Sequence, residues 1–292
     1  MTKFCAQRTH DSFKYSSRSR RRGGSPHARA LLLLVVACSC AGANEHAVVG
    51  TSLKPTTTER LTSTGTAPHE PEPDTAATND TRELAVSGFE TAVIVVPPGE
   101  RPVPLLVATH GAGGDPTWEC ERWGYVARGR WFLACPRGTA LRRGEAGSYF
   151  YPDHPTLERE VMAVVAAVRA AFGARVATSN GVYVGYSQGA TMGALMVVDH
   201  GALFPHLLLI EGGSGDWTQK RAAQFRENGG QSVFIVCGTE ACAKRAAASA
   251  PVLERAGLHA VASYAEGAGH TELGAAGVRA EALLETLANT PK

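Results

Sequence analysis

The run Val182-Tyr183-Val184 followed by Gly185-Tyr186-Ser187-Gln188-Gly189 and Ala190-Thr191-Met192-Gly193-Ala194-Leu195-Met196 decides how the rest of the chain reads. The apolar residues form a short buried strand, and the small residues after Gly189 form a closely packed helix. Between them the chain must reverse sharply at Ser187. Glycines two before and two after the serine let the backbone fold back without a Cβ clash. The serine then stands at the apex in strained backbone, its hydroxyl above the sheet, with the free N–H groups of the helix N-terminus around it. Such an elbow serves nucleophilic catalysis and little else. A bare G-x-S-x-G arises easily by chance in a chain with 32 glycines. Its placement between strand and helix is what gives it weight.

The composition is that of a globular chain with one substantial core: 292 residues, 44% hydrophobic and 19% charged. The net charge of +2 hides an asymmetry. Residues 1–30 hold eight Lys/Arg against Asp11 alone, which leaves 21 basic and 26 acidic residues in the remainder. The body is therefore acidic, and a nucleic-acid footprint is not expected.

The basic start precedes Ala30-Leu31-Leu32-Leu33-Leu34-Val35-Val36-Ala37, an apolar run too short to span a bilayer and followed by small residues. Residues 1–43 thus have the layout of an export signal, and the length of the basic part points to a start downstream of Met1. Val35-Val36-Ala37-Cys38 is similar to a lipobox, which would make Cys38 a lipidated residue and the only route to a membrane. Plain cleavage near Ala41-Gly42-Ala43, giving a secreted protein, is the other reading. Residues 44–82 are rich in Thr, Pro, Glu and Ala with almost no aromatics, and read as a flexible tether. The domain is expected over 83–292. Its four cysteines, Cys120, Cys135, Cys237 and Cys242, suggest two disulfides in an exported chain. The local pairs Cys120–Cys135 and Cys237–Cys242 are expected, with four buried thiols as the alternative. No metal site is expected, because the spacings lack paired Cys-x-x-Cys.

Strands are expected at Thr91–Val96, Val103–Thr109, Trp131–Cys135, Val182–Val184, Leu207–Ile210, Ser232–Val236 and His259–Tyr264, with Val103–Thr109, Val182–Val184, Leu207–Ile210 and Ser232–Val236 buried. Helical pattern occupies Thr117–Ala127, Leu157–Phe172, Pro251–Arg255 and Ala275–Leu287. Strands alternating with helices predict an α/β domain: a mostly parallel sheet covered on both faces in three layers, with the site beyond the C-terminal strand ends. No segment is long enough for a large cap domain.

Four of those ends carry chemistry-capable residues, three of them supplying a turn, a nucleophile and a base. His110-Gly111-Ala112-Gly113-Gly114 is a glycine-rich turn that can set a backbone N–H beside that of Gln188 to form an oxyanion hole. His110 packs beneath this turn, and Gly113 lies beside the substrate. Ser187 is the candidate nucleophile. His270, in Ala268-Gly269-His270-Thr271, is the candidate general base: it alone among the histidines of the domain follows the nucleophile on a loop at this edge. Tyr149 and Tyr151 are candidates for binding an acyl or aryl group, and Arg142 and Arg143 for binding an anionic one. A solvated loop with a local aromatic cluster explains them equally well.

This order of motifs resembles the α/β-hydrolase superfamily over residues 85–290, nearest to small lidless esterases of the phospholipase/carboxylesterase and dienelactone-hydrolase type. The resemblance implies ester hydrolysis through a Ser187 acyl-enzyme with His270 as base, the N–H groups of Ala112 and Gln188 as oxyanion hole, a small-molecule ester as substrate and no cofactor. The chain departs from that pattern at the acid. Such enzymes usually carry Gly-Thr-x-Asp after the strand ending at Val236, whereas Cys237-Gly238-Thr239-Glu240-Ala241-Cys242 offers Glu240 one place early. Asp216 and Glu211, after the preceding strand, stay open, as does a chain without a functional acid. The last would be a hydrolase-fold binding protein of the cell envelope. A peptidase or thioesterase on the same fold is a further reading.

Overall fold

The computed structural model describes residues 80–288 apart from Arg143 and Glu145. The stretch read as an export signal, with Cys38, and nearly all of the expected tether lie outside the described residues. In chain order the elements are β1 (Asp80–Leu84), β2 (Ala92–Val96), β3 (Leu105–Thr109), α1 (Pro116–Ala127), β4 (Phe132–Cys135), β5 (Thr139–Ala140), β6 (Tyr149–Phe150), α2 (His154–Phe172), β7 (Val182–Tyr186), α3 (Gln188–Met196), β8 (His206–Ile210), α4 (Gln219–Glu227), β9 (Ser232–Cys237), α5 (Glu240–Arg255), β10 (His259–Tyr264) and α6 (Gly274–Ala288). Eight strands form one sheet in the order β1-β2-β4-β3-β7-β8-β9-β10. The pairs β1–β2 and β2–β4 are antiparallel, and every pair from β4 through β3 to β10 is parallel. β1 begins at Asp80, so pairing starts inside the stretch read as tether.

The central strands are apolar throughout because helices cover both faces. Alternate residues divide between two cores. Leu105 and Val107 face a core with Leu157 and Val161 of α2, Ala190 and Ala194 of α3, and Phe225 of α4. Leu106 and Ala108 face the other, with Trp123 and Val126 of α1 and Ala276, Ala280 and Leu284 of α6. Asp115 caps α1, its carboxylate accepting from the Thr117 and Trp118 N–H groups, with Pro116 in the first turn. Asp153 caps α2 in the same way through Thr156 N–H. Two helical starts were hidden from periodicity. α4 is polar along most of its length and buries only Ala222 and Phe225. α5 begins at Glu240, eleven residues ahead of the expected pattern, and is capped by the Thr239 hydroxyl.

Both local disulfides are present, Cys120–Cys135 joining α1 to β4 and Cys237–Cys242 joining the end of β9 to the first turn of α5. Closing a 15-residue separation is worth about 3 kcal/mol in the chain-entropy view. The double variant Cys120→Ser/Cys135→Ser is therefore expected to unfold about 3 kcal/mol more easily in urea, with the rest of the fold retained.

Candidate active site

The parallel strands β3, β7, β8, β9 and β10 lie side by side, apart from none of their neighbours, and each delivers one part of a site at its C-terminal end. At the end of β7 the chain reverses as expected. Ser187 has φ 49° and ψ −106°, a conformation costly for any residue with a Cβ. A Cβ on Gly185 would lie 2.7 Å from Ala190 N, and one on Gly189 would lie 2.5 Å from the Thr109 carbonyl oxygen. Neither glycine can be replaced without moving backbone. The Tyr183 hydroxyl donates to the Gly189 carbonyl at 2.8 Å, which ties the turn to the strand beneath it.

Ser187 Oγ lies 2.8 Å from His270 Nε2, and His270 Nδ1 lies 2.9 Å from Glu211 Oε2. The serine and histidine singled out in the sequence are thus neighbours across 83 residues. The carboxylate on the histidine is Glu211, and this corrects the expectation for Glu240 and Asp216. Glu240 is the first residue of α5; its side chain is 72% exposed and pairs with Lys244 one turn along. Helix geometry turns it away from β8 and β10. Asp216 lies past the Gly212–Gly215 run, and its backbone carbonyl accepts from Arg221.

Glu211 follows β8 directly with φ 52°, a left-handed conformation rare outside glycine. That kink turns its carboxylate under the neighbouring loops. Oε1 accepts from the Gly238 and Thr239 N–H groups at 2.5 and 2.8 Å, and the Thr239 hydroxyl donates to Oε2 at 3.0 Å. Burial by itself would raise its pKa, but these donors and His270 outweigh it and hold the carboxyl below its usual range. Gly238 also accepts from Gly269 N–H, and a Cβ on Gly238 would lie 2.3 Å from the Gly269 carbonyl oxygen. The turn that holds the acid therefore also carries the loop of the histidine. A further brace is Tyr186, whose hydroxyl donates to the His270 carbonyl at 2.9 Å. Burial, then the charges of Glu272 and Glu211, push this phenol up to about 12, so it stays a donor. Tyr186 occupies a variable place in the serine motif, and nothing in the pattern marks it.

The turn after β3 packs against the elbow so closely that a Cβ on Gly111 would lie 3.1 Å from Ser187 Cβ. Among the described residues the N–H groups of Ala112 and Gln188 have no backbone acceptor. Those of the neighbouring Gly113, Gly114 and Gly189 are all engaged. Two free donors beside a serine form a place where negative charge is stabilised.

An open cleft of about 240 Å³ runs along this turn, lined by His110, Gly113, Trp118, Tyr186, Thr271, Glu272 and Leu273 among others. Trp118 and Leu273 are 43% and 49% exposed and give it an apolar mouth. Tyr149 and Tyr151, expected to bind substrate, do not line it. Tyr149 exchanges backbone hydrogen bonds with Gly113 and Gly114, bracing the turn. Tyr151 is fully buried and stacks on His110 at 4.7 Å. Its own N–H donates to the Gln188 side-chain oxygen. Among the described residues no arginine lines the cleft; Arg142 is exposed, and Arg143 is outside the described residues. Burial also lowers the His110 pKa, against the two backbone carbonyls that flank its ring.

Two buried carboxyls, Glu119 of α1 and Glu272 just after His270, meet beside the cleft. Burial raises both, and their mutual repulsion adds to it for Glu272, which is pushed up to about 9.

No protein-family model matches the chain, and no curated protein matches its sequence. Solved structures do. The chain is similar to esterase PE8 with a TM-score of 0.54 at 18% identity, over 66% of this chain and 97% of the other. It is similar to carboxyl esterase 2 from the mycorrhizal fungus Tuber melanosporum with a TM-score of 0.55 at 13% identity, over 75% and 89% of the two chains. TT1662 from Thermus thermophilus gives 0.55 at 18% identity, over 73% and 100%. At such identities the likeness is one of fold, and the chain has the α/β-hydrolase fold.

The depressed Glu211 pKa has a consequence for stability. The ionised carboxylate favours the folded state, so its contribution is complete above the ordinary glutamate value of about 4.3 and is lost as pH falls through the lower folded value. The melting-temperature gap between wild type and Glu211→Gln is expected to be largest near neutral pH and to narrow under acid conditions. A thermal scan across pH checks this.

Proposed function

We propose that the chain is an exported serine hydrolase that cleaves carboxylic esters, with Ser187 as nucleophile, His270 as base, Glu211 as the acid that orients it, and the Ala112 and Gln188 N–H groups as the oxyanion hole. The observation that carries this reading is the continuous hydrogen-bonded line from Ser187 Oγ through the His270 ring to Glu211. His270 Nε2 takes the Ser187 proton as Oγ attacks the acyl carbon. The oxyanion that forms accepts hydrogen bonds from the two free N–H groups. The tetrahedral intermediate collapses, the imidazolium returns the proton to the departing alkoxide, and an acyl-serine remains. Water, deprotonated by the same nitrogen, repeats the cycle and releases the acid. Glu211 stays ionised throughout, holding the Nδ1–H tautomer and offsetting the imidazolium charge.

The apolar cleft with its exposed Trp118 and Leu273 supports neutral esters with a small apolar or aromatic group, rather than anionic ones. Esterases among the structures of like fold support hydrolysis over other chemistries. A binding protein that had lost its acid would need no carboxylate on His270, and the Glu211 contact argues against that alternative. The two disulfides fit an oxidising compartment, in keeping with the export signal read in residues 1–43. Within that reading the mature protein is either lipid-anchored at Cys38 or released by cleavage near Ala41-Gly42-Ala43.

A fluorophosphonate probe tests the reading on the purified protein. Wild type is expected to be labelled at one serine, and Ser187→Ala and His270→Ala to abolish labelling. A folded wild-type protein that stays unlabelled overturns it. Kinetics on neutral esters then separate the acids: Glu211→Gln is expected to lower kcat by on the order of 10³- to 10⁴-fold, as loss of a triad acid does, while Glu240→Gln leaves it unchanged.

A further inference from the structure

The Glu119–Glu272 pair has no part in the proposed reaction, yet it is built at some cost. Both side chains are withdrawn from solvent, at 0% and 3% residue exposure. Two buried carboxyls gathered around one cation repel when both are ionised and are best satisfied when one of them keeps a proton that the other can accept. Glu119 Oε2 and Glu272 Oε2 have no hydrogen-bond partner among the described residues, so a proton held between the two carboxyls would satisfy both. Glu119 Oε1 accepts from the Trp123 indole N–H at 2.8 Å, which fixes its side chain along α1. Arg122, also of α1, is the cation beside the pair. Its guanidinium is 3.7 Å from Glu272 Oε2 and 3.8 Å from Glu281 of α6, too far for hydrogen bonds. With one proton shared, Glu119, Glu272 and Arg122 sum to zero charge. Without it a net negative charge is buried, with Glu281 adding to it, and Tyr186, Tyr183 and Tyr151 near enough to feel it.

The place of the pair in the fold gives it a role. Glu272 stands two residues after His270, on the same loop, and Glu119 stands on the helix that follows the oxyanion turn. The amino-terminal side of that loop is held by Gly269 N–H on Gly238. On the carboxy-terminal side, Thr271 N–H bonds to the Gly269 carbonyl, Leu273 N–H to the Thr271 hydroxyl, and the Leu273 carbonyl accepts from Gly277 N–H of α6. Between these bonds Glu272 turns in to meet α1, beside Arg122 and Glu119.

We propose that Glu119 and Glu272 form a proton-sharing latch that docks the His270 loop on α1, making them positioning residues for the base, and that loss of the shared proton at alkaline pH releases the loop. This rests on the reading of His270 as base. Above the latch's titration the two carboxylates repel across a buried site, and the imidazole drifts from Ser187. Below it the loop is fixed.

The variant that separates this role from simple packing is Glu119→Gln. Its amide can donate to the Glu272 carboxylate at every pH while its oxygen still accepts from Trp123, so docking no longer needs a proton. Measured on a neutral ester, wild-type kcat/KM is expected to fall as pH rises through about 9, by on the order of tenfold to a hundredfold, the scale of a misplaced catalytic group. Glu119→Gln is expected to lose that alkaline step. Should that variant fail to fold, Glu272→Gln makes the same test. An alkaline step of the same size and position in the variants overturns the latch. Thermal melting gives a readout that does not depend on hydrolysis. A carboxyl raised in the fold costs stability progressively as pH climbs from the unfolded value of about 4.3 to the folded one. Wild type is therefore expected to lose melting temperature relative to Glu119→Gln over that window, and parallel curves also overturn the latch. A protein that neither hydrolyses esters nor labels at neutral pH, but shows the diverging melting curves, would refute the hydrolase reading and leave the shared proton standing.

Discussion

The carboxylate of Glu211 is the point on which the site depends. It gathers donors from two segments: Gly238 and Thr239 after β9, and His270 after β10. An ionised carboxylate with several donors forms stronger hydrogen bonds than a neutral acceptor would, and its burial becomes tolerable because its lone pairs are satisfied. Each donor in turn fixes something further. Thr239 caps α5, Gly238 receives the Gly269 N–H, and Cys237 and Cys242 close the same turn covalently. Remove the charge and the turn, the helix start and the imidazole lose a common anchor.

This arrangement also explains why the acid was hard to read from the residues. The elbow, the glycine-rich turn after β3, the histidine loop and both disulfides were legible, because each rests on a local rule: glycine where a Cβ cannot fit, small residues where a helix packs on a strand, cysteines close in sequence. Glu211 follows no such rule. It sits in left-handed backbone that the pattern Glu211-Gly212-Gly213 does not announce, and it acts through partners one strand further on. Glu240 looked suitable by position, but a capped helix begins there and carries it to the surface. Aromatics near a site suggest contact with substrate, but whether the rings of Tyr149 and Tyr151 face the cleft or the core depends on a short hairpin, β5–β6, that leaves almost no periodicity. The latch escaped for a related reason, since two glutamates 153 positions apart carry no sign that they share a proton.

One side of the sheet does all the chemical positioning. β1, β2 and β4 stabilise the core without bringing a side chain to Ser187, while β3, β7, β8, β9 and β10 each present something at one end. Adjacent parallel strands end at the same level, so residues far apart in sequence arrive within hydrogen-bonding distance without long excursions. The order of parts in the chain is thus also their order across the sheet, from oxyanion turn to base.

That order places the histidine at the margin. β10 is the last strand of the sheet and pairs on one side only, and its residues are largely half-buried or exposed. Proteins open first where buried contacts are fewest, and a strand with a single neighbour meets that description. A brief separation of β10 from β9 would carry His270 away while Ser187, held between β3 and β8, kept its geometry. Inactivation on warming would then precede the cooperative loss of structure, and the interval between the two would report on the strength of a single strand pairing.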